Sequence, residues 1–163
     1  MKKLILVAGA MIVMTVLSGC AEMVAQQKAE AQKSYADIAK CESTIDYKPS
    51  ANVEKGEFIN GLQKEAAGAS ADGLIAKLKL DRLQIVGWDK QVADSVYACK
   101  TKNTEKRLSL VQESFNTLKA KEKNKDERNA LISAYSAWET YVKTLTPEAK
   151  QDFDTKLSYY KNM

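Results

Sequence analysis

The sequence predicts an all-α fold, a small bundle of about four to six helices stapled by one disulfide, and three observations lead there. Apolar side chains return at spacings of three, four and seven residues over most of the chain, the signature of one buried helix face. Good helix formers fill the positions between them. The chain has only two prolines, Pro49 and Pro147, and each falls where that periodicity stops or restarts.

The first element spans residues 21–46. It is rich in Ala, Gln, Glu and Lys, and Val24, Ala31, Tyr35, Ile38, Cys41 and Ile45 share a face. Tyr47-Lys48-Pro49-Ser50 is expected to end it, because a proline disfavours helical geometry at the residue before it. A short helix follows around Glu54–Ala67, with Phe58 and Leu62 on one side. Ala66 to Gly73 is nearly all small residues and reads as a loop. Leu74–Val86 mixes two signals. Leu78 and Leu80 alternate, whereas Leu74, Ile75, Leu78 and Ile85 share a helical face, and helix is the preferred reading.

Ile85, Trp88, Val92, Val96 and Cys99 then define a helical face, and Leu108, Val111, Phe115 and Leu118 another. Lys121–Asp126 has no apolar residue and reads as a turn or an exposed bridge. The best face contains Leu131, Ala134, Tyr135, Trp138, Tyr141, Val142 and Leu145. Thr146-Pro147-Glu148 is a helix start, with Thr146 as N-cap, Pro147 at the first position and acid in the first turn. The last helix should bury Phe153, Leu157 and Tyr160. No fixed-period repeat is present.

The N-terminus has a separate logic. Met1-Lys2-Lys3 precedes an uncharged run from Leu4 to Gly19. A basic start, an apolar stretch and small residues before a processing point mark a secretory signal. The run is short of the roughly 20 residues that a helical span requires. It ends in Leu17-Ser18-Gly19-Cys20, which resembles the lipobox of bacterial lipoproteins. The resemblance covers the first 20 residues. It implies cleavage after Gly19, a diacylglyceryl group on the Cys20 thiol, and a signal peptide (1–19) ahead of a single domain (20–163). The alternatives are an uncleaved anchor, or an ordinary signal peptide with a chance cysteine. By the same resemblance, Ala21 is not the aspartate that commonly retains such proteins at the inner membrane. The expected site is the outer membrane, facing the periplasm, if the host is Gram-negative.

With Cys20 assigned to lipid, Cys41 and Cys99 remain, an even pair in an oxidising compartment. They are expected to bond to each other and close a loop of 58 residues. Two buried free thiols or a metal pair are the alternatives, and two thiolates without histidine do not complete a zinc site. The formal charge of +4 falls to about +2 once Lys2 and Lys3 are removed, too near neutral to argue for nucleic acid.

The chain contains no histidine, which excludes Ser-His-Asp and Cys-His catalysis. There is no phosphate-binding loop, dinucleotide fingerprint or EF-hand pattern, and no cofactor or metal is expected. Asp126 with Glu127, and Asp152 with Asp154, are carboxylate pairs in lysine-rich surroundings, read as solvated helix faces. The stripe Tyr135, Trp138, Tyr141 is read as core. Tyr159 and Tyr160 are adjacent on one helix and cannot both face inward, so one is expected at the surface, available to a partner.

The expected role is protein–protein contact at the envelope by a non-enzymatic, lipid-anchored domain. In architecture alone the plan resembles small helical, disulfide-bearing assembly lipoproteins such as secretin pilotins. A binder of a small apolar ligand or lipid between the helices is the alternative, and an enzyme ranks third. An open apolar groove would favour the first, a closed cavity the second, and a convergent charge cluster with perturbed pKa values the third.

Overall fold

The computed structural model of the chain describes residue 26, residues 28–50 and residues 52–163. Residues 1–19, expected to be a signal peptide, and Cys20 lie outside the described residues. The described residues are helical without strands. Helix α1 covers residues 28–39, α2 Lys55–Val86, α3 Lys90–Lys121, α4 Lys125–Thr144 and α5 Pro147–Asn162. No helix among the described residues is long and apolar enough to cross a membrane.

Helices α2 and α3 form an antiparallel hairpin of 32 residues each, about 48 Å long at 1.5 Å per residue. The tip is Gly87-Trp88-Asp89. Gly87 takes a φ of 113°, open to glycine and rare for other residues, and Asp89 caps α3 by accepting from the Val92 N–H at 3.0 Å.

A shorter hairpin, α4–α5, lies against the half of α2–α3 away from this tip. Asn124 caps α4 through the N–H groups of Asp126 and Glu127. Thr146 caps α5 through the N–H of Ala149, with Pro147 next to it, as the sequence requires. Leu145 joins the two helices in the left-handed region at φ 55°. Its side chain sits on α2 at Gly73, where a Cβ would come within 2.6 Å of Leu145 Cδ1.

Two apolar clusters result. The larger joins Phe58 and Leu62 of α2, Val111 and Phe115 of α3, Leu131 and Trp138 of α4, and Phe153, Leu157 and Tyr160 of α5. Phe115 stacks on Tyr135 with ring centroids 4.0 Å apart, and Tyr135 stands 5.7 Å from Trp138. The stripe Tyr135, Trp138, Tyr141 is core, as its period predicts. At the N-terminal ends of α2 and α4, Lys55 pairs with Glu127 at 2.6 Å and lies 4.9 Å from the centre of the Tyr160 ring.

The smaller cluster, near the tip, joins Ile38 of α1 to Ala76 and Leu83 of α2 and to Ala93 and Val96 of α3.

Three sequence expectations are corrected. The first helix stops at residue 39 instead of residue 46. Cys41 and Ile45 lie in a non-helical segment, residues 40–50, that runs back along the hairpin. Its polar groups are satisfied by α2 and α3, which replaces the helical hydrogen bonds that the local sequence would otherwise favour. The segment Ala66–Gly73 is no loop but the centre of α2, because small side chains there let neighbouring groups approach the helix. The face Ile85, Trp88, Val92, Val96, Cys99 is broken by the tip turn, leaving Ile85 85% and Trp88 57% exposed. Residues 122–124 form the turn expected between α3 and α4.

Candidate functional site

Cys41 and Cys99 are bonded, with Cα atoms 5.4 Å apart. The bond ties the non-helical segment to α3, and Cys41 lies at the surface, so the staple does not run through the core as its sequence position on an apolar stripe suggests. Just beyond it, the Asn103 amide donates to the Glu42 carbonyl at 2.6 Å.

The segment then delivers Thr44 to a charge cluster buried between α2 and α3. Arg107 is fully buried. Its Nη1 donates to Glu65 Oε2, and its Nη2 donates to Asp72 Oδ2 at 2.9 Å and Thr44 Oγ1 at 3.1 Å. The Thr44 hydroxyl has two acceptors within reach, the Gly68 carbonyl at 2.8 Å and Asp72 Oδ1 at 2.9 Å. Glu65 Oε1 accepts the Asp46 N–H at 3.2 Å. Gly68 makes room for this arrangement, since a Cβ there would lie 2.7 Å from Arg107 Nη1. A buried ion set of this kind fixes register, and losing one partner leaves an uncompensated charge. Its charged groups face one another and are buried, and they tie α2, α3 and the segment carrying Thr44 together.

Asp152 and Asp154 behave as a solvated helix face, pairing with Lys156 and Lys150 at i, i+4, and Asp126 is exposed. Glu127 is half-buried and pairs across to Lys55 of α2, against the expectation of a solvated face. Among the described residues no group of three or more potential metal ligands comes together. A pocket between the non-helical segment and the hairpin, lined by Asp72, Val96, Cys99 and Asn103, measures about 20 Å³. That is space for about one water.

The open surface is different. On the hairpin, two depressions of 330 Å³ and 370 Å³ share Tyr97 and Lys100 and form one groove. Leu80 and Trp88 line its tip end, and Leu108 and Lys143 its other end. The groove exists because α4 and α5 stop at Leu145 while α2 and α3 continue. From Gly73 to Val86 the hairpin extends about 20 Å beyond the end of α4 and α5, with no other helix of the described residues laid along this side.

Tyr159 is 60% exposed, whereas Tyr160 is 1% exposed and belongs to the core. The pair divides as two adjacent helical residues must. Tyr159 lies by Met163 and Ala130, away from the groove.

Sequence reasoning missed Arg107, Glu65, Asp72 and Tyr97. Arg107 stands four residues before Val111, and Glu65 seven before Asp72, so all three occupy positions that the helical period assigns to the inside. Tyr97 had no such signal.

No known protein family, no curated protein and no solved structure matches this chain.

Proposed function

We propose that this chain is a lipid-anchored envelope protein, held at the outer membrane on the periplasmic side, that works by contact with another protein. The occupant proposed for the groove is an amphipathic helix of an envelope partner. The observation that carries the reading is the groove itself. It prolongs the four-helix core past Leu145, presents Tyr97, Leu80 and Leu108 along a length of about 20 Å, and is edged by charges of both signs, Lys77, Lys100 and Lys143 with Asp81 and Glu105. A partner helix of about 13 residues would lie where α4 and α5 leave the hairpin bare, the helix-in-groove mode of recognition. Aromatic side chains in a partly covered groove are the usual anchors of such contacts. The alternative, a small apolar ligand held between the helices, lacks support of this kind, because the pocket inside the described residues has room for about one water.

The test is site-specific photocrosslinking in intact cells, with the crosslinking residue at Thr101 in the groove or at exposed Gln151 on α5. The expected result is a discrete envelope-protein adduct from Thr101 alone, reduced about tenfold by Tyr97→Glu. Equal adducts from both positions, or none from Thr101, would count against the reading. A small molecule retained in native mass spectrometry would move it to ligand carriage.

A further inference from the structure

The hairpin tip and the start of α1 lie at the same end of the molecule. Tyr35 reaches Gly87, where a Cβ would lie 3.0 Å from the Tyr35 hydroxyl. Lys79 Nζ then donates to the Lys40 carbonyl, Cys41 bonds to Cys99, and Thr44 meets Asp72. The chain therefore runs from the tip toward the middle of α2. Residue 28 precedes Tyr35 by seven helical residues, about 10 Å, which puts the beginning of α1 level with the tip or past it.

The tip itself is apolar. Ile85 is 85% exposed, more than any other large apolar side chain among the described residues, and Trp88 is 57% exposed. Single exposed apolar residues are ordinary. Two of them projecting three residues apart, around a glycine turn and beside exposed Arg82 and Lys90, are suited to a membrane interface. Tryptophan favours the headgroup level there, and long basic side chains reach up to the phosphates from apolar surroundings.

We infer that this tip rests in the bilayer interface, with Ile85 and Trp88 inserted among the lipids to which Cys20 is anchored. The inference rests on the lipid-anchor reading of Cys20. The eight residues from Cys20 to residue 28 reach at most about 29 Å when fully extended, so an acylated Cys20 holds the tip within that distance of the lipid. The opposite end of the hairpin stands about 48 Å further out. Two side chains are too small an apolar area to bind a membrane unaided, and the tether supplies the local concentration they lack. Around the tip Lys90 is paired with Asp94 at 2.6 Å and Asp81 with Lys77 at 2.9 Å. The contact is apolar in origin, and zwitterionic lipid suffices for it.

The chain contains a built-in reporter. It has two tryptophans, and Trp138 is fully buried in the four-helix core, so changes in emission come from Trp88. The acylated chain, its Cys20 modification verified by mass, is placed in phosphatidylcholine–phosphatidylethanolamine vesicles with and without brominated acyl chains. The expected result is a blue-shifted emission that brominated lipid quenches. Trp88→Phe should abolish both effects, Ile85→Ser should at least halve the quenching, and the Cys20→Ser chain should show neither. Acylated protein in vesicles whose Trp88 emission is unshifted and unquenched would overturn the tip contact while leaving the anchor standing. Absence of any acyl mass on Cys20 would overturn the anchor reading, and the tip contact with it.

Discussion

The two halves of the α2–α3 hairpin are built from the same two helices but are covered very differently. The half away from the tip is enclosed by α4 and α5 and holds an aromatic core of Phe58, Phe115, Tyr135, Trp138 and Phe153. Among the described residues the tip half is covered by one short helix, α1, and its cluster contains a single large fully buried residue from each of α1 and α2, Ile38 and Leu83. Between them sits the Arg107 cluster. Apolar area is buried in the enclosed half and left exposed toward the tip, where Ile85 and Trp88 stand, while the groove runs from the tip half to Leu108 and Lys143 at the edge of the enclosed one.

The largest effect is expected at the boundary between the halves. Arg107→Met strands Glu65 and Asp72 as buried carboxylates without a counter-charge, and should cost about 3–5 kcal/mol by urea denaturation. Adding Glu65→Gln and Asp72→Asn to that variant should recover part of the loss. A single-site cost below about 1 kcal/mol would mean that the cluster does not join the two halves.

The two cores can then be compared directly. Leu131→Ala in the four-helix half should cost about 2–5 kcal/mol, toward the upper end, because well-packed surroundings do not collapse into the cavity. Leu83→Ala should fall near the lower end of the same range, since the thin tip half can relax around it. Equal losses at both sites would erase the distinction drawn between the halves.

Removing the disulfide should be milder and local. Its 58-residue loop sets an upper bound of roughly 4 kcal/mol on the chain-entropy account, and Cys99→Ser should fall well below it, to under about 2 kcal/mol, because Asn103, Thr44 and Asp46 still hold the segment. Hydrogen exchange should quicken across residues 40–50 and α1, while α4 and α5 keep their protection.

The smallest effect is alkaline. Burial pushes the phenols of Tyr135 and Tyr160 up to about 12, helped by Glu139 at the first and by Glu127 and Glu122 at the second. The folded chain therefore keeps protons that the unfolded chain gives up above pH 10. Stability should be full below pH 10 and fall between pH 10 and about 12, and Tyr135→Phe should lessen the fall.

Part of this organisation is legible in the residues alone. Thr146-Pro147-Glu148 announces α5, the period of Leu131 to Val142 announces the buried face of α4, and the cysteine count announces the Cys41–Cys99 bond once Cys20 is set aside on its resemblance to a lipobox. In each case the information is local or arithmetical. An N-cap needs only its own first turn, and an amphipathic helix needs only its own period.

Tertiary structure decided what local information cannot hold. Whether Ala66–Gly73 is loop or helix depends on Arg107 and Leu145 arriving from elsewhere to occupy the space beside Gly68 and Gly73. Whether α1 runs on to residue 46 depends on Thr44 and Asp46 finding partners on α2 and α3. Whether Ile85, Trp88 and Tyr97 are core or surface depends on how far α4 and α5 reach. By itself the sequence determined where helices can form and which side of each is apolar, because backbone geometry and capping act within a few residues. Only the tertiary structure decided which apolar sides were covered and which charges were paired, because burial is set by neighbours far away in the chain.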